Sequence, residues 1–562
     1  VRAKPDYSTF RLSTQQQFLL DTVVQTLDQY YDGNTSVGAI QGKARAGTGK
    51  TTTAMATVAA VRRLFPDLFI GYAAFNRNAA NHAIDIIPDG ALANTIHTLL
   101  GLNAIRAAYG RVRVDNTKWW RILDRIAPPG VDDDDRKKIQ AVKMVVVKMA
   151  DLCLNYLSRG DDKSEVIDIA ATHGIEILQY GDVFFDMLYD LIDEGLDTAN
   201  ISVTYSEMLA VPVMCPEVTP YIKTFDVLFV DEAQDLTYAQ QALALLAVNV
   251  VPTVLHDDYG IPYRDEEPGL LVYIGDDKQA IYAFRGALSD GLGNFSTLIT
   301  STGRGVIECP ITQTRRCPKN IVAFIQPIVP DFEALPEAPD GEVLLIDQFF
   351  ALAHIGEGRR DTLVVGRTNA ALASFAIKLV KRGIPVEFVS RDLGTELMKM
   401  TRQFIYGYKM KNKDVPTLQQ YLEELSRRIG VMTLATRGKV QKASMVLALD
   451  KLEVMFTLAT QSDDWEMYFQ NIAVLFGSDL DPEMQKRAVR FSTVHSIKGD
   501  EAQYVIIVGG DSMPHPLAET PVELEQEWNI LYVACTRAVE SLWFLDSVPA
   551  RLADSPYLER LV

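Results

Sequence analysis

The stretch Ala44-Arg45-Ala46-Gly47-Thr48-Gly49-Lys50-Thr51 decides the fold. The apolar run Val37 to Ile40 before it reads as a buried strand, and the run from about Thr52 to Leu64 after it reads as a helix. A strand, a loop of small residues and a helix together form a phosphate cradle. Small residues let backbone N–H groups approach an anion at the helix N-terminus, where the dipole also favours negative charge. Ala46, Gly47, Thr48 and Gly49 would line the phosphates, Lys50 would reach the β- and γ-phosphates, and the Thr51 hydroxyl would hold Mg²⁺. The strict pattern has Gly at the first position, where this chain has Ala44.

A second stretch supplies the other half of that chemistry. Phe225 to Val230 reads as a strand and runs into Asp231-Glu232-Ala233-Gln234-Asp235. A carboxylate at the strand tip, Asp231, would hold Mg²⁺ through water, and Glu232 would orient and deprotonate a water. With Lys50 and Thr51 upstream, the pair predicts a nucleotide hydrolase.

The chain's 562 residues are too many for one core and predict three or four domains. Hydrophobic content of 48% and charged content of 23% are those of an ordinary globular protein. No apolar run approaches a membrane span, and Val1 to Pro5 has no signal-like core, so no membrane partner is expected. Cys153, Cys215, Cys309, Cys317 and Cys535 are scattered with no C-x-x-C pair, which argues against a disulfide framework, a zinc ribbon or an iron–sulfur cluster. The expected setting is intracellular and reducing, cytoplasmic with the nucleus not excluded. The net charge of −18 runs against nucleic-acid binding, but charge is local. Arg106 to Lys148 carries 11 Lys/Arg against 6 Asp, and Lys399 to Lys451 carries 11 against 4 Asp/Glu. These two segments are expected to be the electrostatic footprint of a polyanion.

Taken in order, Ser13 or Thr14 is placed to cap a first helix. Phe69 to Ala74 reads as a second strand ending in Phe75-Asn76-Arg77, at the kind of strand end where α/β sheets bind ligands. Asn94 to His97 closes another short strand. From Gly101 to Asn200 the strand–helix rhythm gives way to helical stretches with Trp119-Trp120. Residues 251–270 read as a surface loop. A third strand, Leu271 to Ile274, then leads into Gly275-Asp276-Asp277-Lys278-Gln279-Ala280-Ile281-Tyr282-Ala283-Phe284-Arg285-Gly286.

At this point the chain resembles the superfamily 1 helicases of the UvrD, PcrA and Rep branch, with motifs in order across nearly its whole length. The resemblance implies an α/β fold with two RecA-like P-loop domains, each with a parallel sheet and a mainly helical insertion. The expected segments are 1–100 and 201–310 for the first domain, 101–200 for its insertion, 311–401 and 486–562 for the second, and 402–485 for a short helical insertion. It implies ATP and Mg²⁺ as ligands, with Gln16 reading adenine and Gln279 coupling the γ-phosphate to DNA contacts. Thr312 to Cys317 lies at the fourth motif, making Arg316 one arginine finger. Tyr532 to Ala538 resembles the sixth, with Arg537 as the other. Arg367-Thr368-Asn369 resembles a short motif after a strand. Thr493 to Glu501 resembles the fifth motif, with Glu501 at the ribose and Thr493, His495 and Ser496 near DNA. Phe75, Asn76, His97, Tyr282, Phe284 and Arg285 complete the expected DNA face, the aromatics stacking on bases without regard to sequence.

The leading expectation is an ATP-driven 3′ to 5′ single-stranded DNA translocase that also acts at single-strand/duplex junctions and unwinds duplex. The rivals are a translocase that strips proteins with little unwinding, an ATP-gated DNA-end sensor, and, more weakly, a motor on RNA. Protein partners are left open.

Two departures mark the adenine pocket. Arg315 stands where the family usually has an aromatic, and Thr52 where it has an Arg. A planar, weakly hydrated guanidinium can stack on a π-face, so Arg315 is expected to cover adenine. Arg315→Ala should raise the KM for ATP several-fold with little change in kcat, and Arg316→Ala should lower kcat, because a finger acts on the transition state. Steady-state ATPase kinetics of both variants check this; a fall in kcat for Arg315→Ala with KM unmoved would reverse the assignment.

Overall fold

The first helix, Thr14–Tyr31, begins at a capping box: the Ser13 hydroxyl accepts from the Gln16 N–H, and the Gln16 side-chain oxygen accepts from the Ser13 N–H. The computed structural model describes residues 4–7, 10–130, 132–252, 255, 258–261, 267–281, 290–356, 361–389, 392–436, 442–477, 487–497 and 499–561. They divide into two units after Thr312, two residues beyond the expected boundary.

In the first unit the strands are β1 (Val37–Ala44), β2 (Ile70–Ala74), β3 (Ala91–Thr95), β4 (Arg113–Val114), β5 (Ser202–Val203), β6 (Val227–Asp231), β7 (Leu270–Gly275) and β8 (Gly305–Ile311). β4 and β5 pair by themselves; the other six form one sheet in the order β3-β2-β6-β7-β1-β8, every ladder parallel. β1 runs four residues past the expected Ile40, so it delivers Ala44 directly into the phosphate loop. β6 includes Asp231 itself, so the expected metal-holding carboxylate is a strand residue.

Alternation along the strands divides this sheet between two cores. Ile40, Tyr72, Val227, Phe229, Val272 and Ile274 face the helices Thr14–Tyr31 and Lys50–Leu64. Ala39, Ala73, Leu228, Val230, Leu271 and Tyr273 face the other way. That second face shares one continuous core with the helical insertion, whose helices include Lys118–Ile126, Asp133–Asn155, Asp182–Asp197 and Tyr205–Met214. This helical stretch runs to Met214, past the expected end at Asn200, and it extends the core of its parent unit. Inside it, the fully buried Glu207 carboxylate accepts from Lys118 Nζ (3.0 Å), Trp119 Nε1 (2.8 Å) and the Thr204 N–H (2.8 Å).

The second unit holds β9 (Gln313–Thr314), β10 (Glu333–Ala334), β11 (Glu342–Ile346), β12 (Thr362–Gly366), β13 (Val386–Phe388), β14 (Val489–Thr493), β15 (Ala502–Val508), β16 (Ala538–Leu545) and β17 (Glu559–Arg560). β9 pairs with β10, and the rest form an all-parallel sheet in the order β13-β14-β12-β15-β16-β11-β17. Its insertion begins at helix Asp392–Asn412, ten residues before the expected start, and continues through Leu418–Thr436, Lys442–Thr460 and Trp465–Phe476. Tyr421, Leu458 and Ile472 from these helices share a core with Val364, Phe491 and Ile506 of the sheet.

Removing one partner of a buried ion pair leaves the other charge unsolvated, at about 3–5 kcal/mol. Glu207→Ala leaves the Lys118 charge with only the Gly195 and Ser202 carbonyls and strands Trp119 Nε1, so a loss of that size is expected in denaturant unfolding. A loss below ~1 kcal/mol would show that water reaches Lys118.

Candidate nucleotide site and nucleic-acid face

Strand register brings the first unit's motifs to one edge. Lys43 of β1 pairs with Gly275 of β7, Ile274 with Asp231 of β6, and Val230 with Ala73 of β2. The C-terminal ends of four strands therefore lie side by side, with the phosphate loop leaving the first.

The loop is shaped by glycine. Gly47 and Gly49 have φ of 67° and 79°, and a Cβ on Gly49 would come 2.9 Å from Gln16 Nε2. Helix Lys50–Leu64 starts from Gly49 with no side-chain cap and no acid in its first turn. Its N-terminal N–H groups and dipole suit an anion. Gln16 bonds through both ends of its amide, donating from Nε2 to the Thr48 carbonyl (2.9 Å) while its oxygen serves the helix cap. It braces the loop through the Thr48 carbonyl.

Lys50 Nζ lies 3.2 Å from Glu232 Oε2, and Gln234 Nε2 donates to the same oxygen at 2.6 Å. Thr51 Oγ1 donates to Asp231 Oδ2 (3.1 Å), as does the Tyr72 hydroxyl (2.6 Å), while the Glu232 N–H serves Asp231 Oδ1 (2.9 Å). Burial raises the Asp231 pKa above the usual carboxylate range; Glu232 adds to the rise and Lys50 opposes it. Glu232 itself sits at φ 54°, a left-handed conformation costing a non-glycine residue about 1–2 kcal/mol. The donors fit Mg²⁺: a hydroxyl and a carboxylate share one edge, and a divalent ion would supply the positive charge that the buried acid lacks.

Three residues here were not singled out from sequence. Tyr72 is one. Gln234 is another: its Oε1 accepts from the Asp276 N–H (3.0 Å), and a Cβ on Gly275 would come 2.5 Å from that oxygen. Arg45 is the third, its side chain buried against Asp276 and Asp277. Gln279, also buried, donates from Nε2 to Asp276 Oδ2 at 2.8 Å.

In the second unit the expected residues fall on two edges of the sheet. Glu501 and Arg537 immediately precede the paired residues Ala502 and Ala538, and Arg316 Nε lies 2.6 Å from Glu501 Oε2. Arg316 Nη1 also donates to the Thr536 carbonyl. Arg537 is buried, with Nε on the Val533 carbonyl and Nη1 on that of Asp500. Arg315 is exposed. Thr493 ends β14 at the opposite edge, beside Gly366, and its hydroxyl lies 3.2 Å from that of Ser496; His495 sits on the turn between them. Arg367 after β12 forms a bidentate pair with Glu527, and Asn369 Nδ2 donates to Asp450.

Phe75 packs partly buried on the core, and Asn76 caps helix Arg77–Ile86 through Ala79 N. His97 stands edge-on to Tyr205, and burial lowers its pKa to about 4, so it is neutral at pH 7. Tyr282, Phe284 and Arg285 lie outside the described residues. The basic segments are substantially paired in place. Lys118, Arg121, Arg125, Arg136, Lys138 and Lys143 each meet an acid, and Arg427 and Arg428 share Glu424. Lys399, Arg402 and Tyr406 line a cavity of about 650 Å³ beside Met398 and Phe476.

A doubly phosphate-directed loop and a paired acid strand on a parallel sheet define a P-loop nucleotide-binding protein. Comparison with known families narrows this. The UvrD-like helicase C-terminal domain matches residues 176–547, and an AAA domain matches residues 34–285. The chain belongs to the UvrD-like helicase family, and its α/β sheets are those of RecA-like P-loop folds. It is similar to the ATP-dependent DNA helicase UvrD1 of Mycobacterium bovis and of Mycobacterium tuberculosis, each 22% identical over 474 residues. These matches cover 63% of this chain and 60% of each relative, so the chain spans less than two thirds of their length.

His97 gives a pH signature. Its folded pKa lies below the unfolded value near 6.5, so the unfolded chain binds the extra proton first as pH falls. Stability from this group is present above pH 6.5 and is lost progressively towards pH 4. His97→Gln should flatten that part of the stability–pH curve in denaturant titrations; an unchanged slope would mean that His97 titrates in the fold as it does in water.

Proposed function

We propose that this protein is an ATP-dependent DNA helicase that translocates 3′ to 5′ on single-stranded DNA and acts at single-strand/duplex junctions. One observation carries the reading: Lys50, Thr51, Asp231, Glu232 and Gln279 converge on one sheet edge through a continuous hydrogen-bond chain. Lys50 and the loop N–H groups hold the phosphates, Thr51 and Asp231 hold Mg²⁺, and Glu232 takes a proton from the attacking water. Bound Mg²⁺ supplies charge neutralisation on the phosphate oxygens. Gln16, Thr52, Arg315 and Glu501 are assigned to the nucleoside, and Arg316 and Arg537 to the charge of the transferring phosphoryl group. Phe75, Asn76, His97, Thr493, His495 and Ser496 are assigned to the DNA track, and the family likeness supports the polarity.

Turnover should rise strongly with single-stranded DNA and much less with duplex or RNA, and Lys50→Ala should abolish it while DNA binding persists. A duplex with a 3′ overhang should be unwound faster than one with a 5′ overhang. ATPase indifferent to DNA would overturn the motor reading. DNA-stimulated ATPase without strand displacement would favour a translocase that strips proteins.

A further inference from the structure

The phosphate loop is made of small residues except at its second position. Arg45 stands there with its side chain 4% exposed, and its Nη1 lies 3.0 Å from Asp276 Oδ1 and 2.5 Å from Asp277 Oδ1. Its main chain is also committed. The N–H donates to the Ile311 carbonyl at the end of β8, and the carbonyl accepts from the Thr48 hydroxyl inside the loop. Asp276 is fully buried, and its other oxygen accepts from Gln279 Nε2 (2.8 Å). Its N–H donates to Gln234, which holds Glu232.

We propose that Arg45 is a positioning residue that ties the phosphate loop to Gln279 through Asp276. The inference rests on the proposed function in taking Gln279 as the link between nucleotide and DNA. A buried ion pair is a poor device for stability alone, since well-packed apolar side chains of the same volume do as well or better. What this pair adds is direction: a guanidinium fixed to loop main chain at one end and to two carboxylates at the other transmits a displacement of the loop to Asp276. Asp276 cannot move without moving the Gln279 amide, because both of its oxygens and its N–H are engaged. Arg45 touches neither the phosphates nor DNA in this scheme. It acts only through Asp276.

A double-mutant cycle tests this, because a residue acting through Gln279 has nothing left to act on once Gln279 is removed. Arg45→Met, Gln279→Ala and the double variant are compared by ATP turnover with and without oligo(dT), and by affinity for a fluorescent ATP analogue. Arg45→Met should lower DNA-stimulated turnover by about fivefold or more with little change in KM, and Arg45→Lys should recover part of the loss. The double variant should be no worse than Gln279→Ala alone. Multiplying effects in the double variant would overturn the proposal, as would a raised KM with the stimulation ratio intact, which would mean that Arg45 only shapes the loop. Asp277→Asn, at the more exposed partner, serves if Arg45→Met does not fold; it should act in the same direction, more weakly, and equally non-additively. Should DNA fail to stimulate the unmutated protein, the motor reading falls, while the cycle in basal turnover and analogue affinity still decides whether Arg45 acts through Gln279.

Discussion

Asp231 ends β6, and Asp276 follows the end of β7, the adjoining strand, both with carboxylates shut away from water. Burial pushes the pKa of each upward, so each ionises only to the extent that nearby positive charge or hydrogen bonds compensate. Among the described residues Lys50, Arg45 and Lys278 are the near cations, and they face four acids: Asp231, Glu232, Asp276 and Asp277. That imbalance organises the edge. The tyrosine, threonine and glutamine donors on these acids are the chain's own partial answer, and on the proposed reading a divalent ion held by Thr51 and Asp231 would complete it. The fold places the acids there because parallel strands in register bring their C-terminal ends together.

The second unit solves a different problem. Its sheet separates two sets of residues by edge, with Glu501 and Arg537 where β15 and β16 begin and Thr493 where β14 ends. Arg316 and Glu501 neutralise each other in place. Arg537 donates to the Val533 and Asp500 carbonyls and to the Thr536 hydroxyl, so backbone takes a large part in fixing its orientation. On the proposed reading one end of this sheet meets nucleotide and the other the track, and β14, β12 and β15 lie side by side between them.

The two decisive loops were legible because each couples a local strand signal to polar residues at fixed spacing, and local spacing survives in a sequence. The first helix's cap was legible as Ser13 or Thr14 for the same reason, whereas the parallel sheets came with the family resemblance. Arg45, Tyr72 and Gln234 were not legible. Arg45 and Asp276 are 231 residues apart and Tyr72 and Asp231 are 159 apart, so each looked like an ordinary loop or strand residue until the sheet closed. The insertions were visible as helical but not as extensions of their parent cores, since periodicity marks an apolar face without saying what covers it. The basic segments misled in part: counting charges cannot see that Lys118 serves Glu207 in a core or that Arg427 and Arg428 share one acid.

The pairing of Lys50 with Glu232 bears on how the proposed reaction would begin. Glu232 is held by Lys50 and Gln234 on the same oxygen, and its left-handed backbone keeps the carboxylate turned towards the loop. A carboxylate engaged by an ammonium is a weak base. On the proposed reading, phosphates entering the cradle compete for Lys50, and each step of that exchange frees Glu232 to take a proton from water. Gln234 remains on Glu232 and also receives the Asp276 N–H, so the freed carboxylate stays aimed. The acid that would act as base is thus restrained by the same lysine that would bind substrate, which ties its basicity to occupancy of the loop.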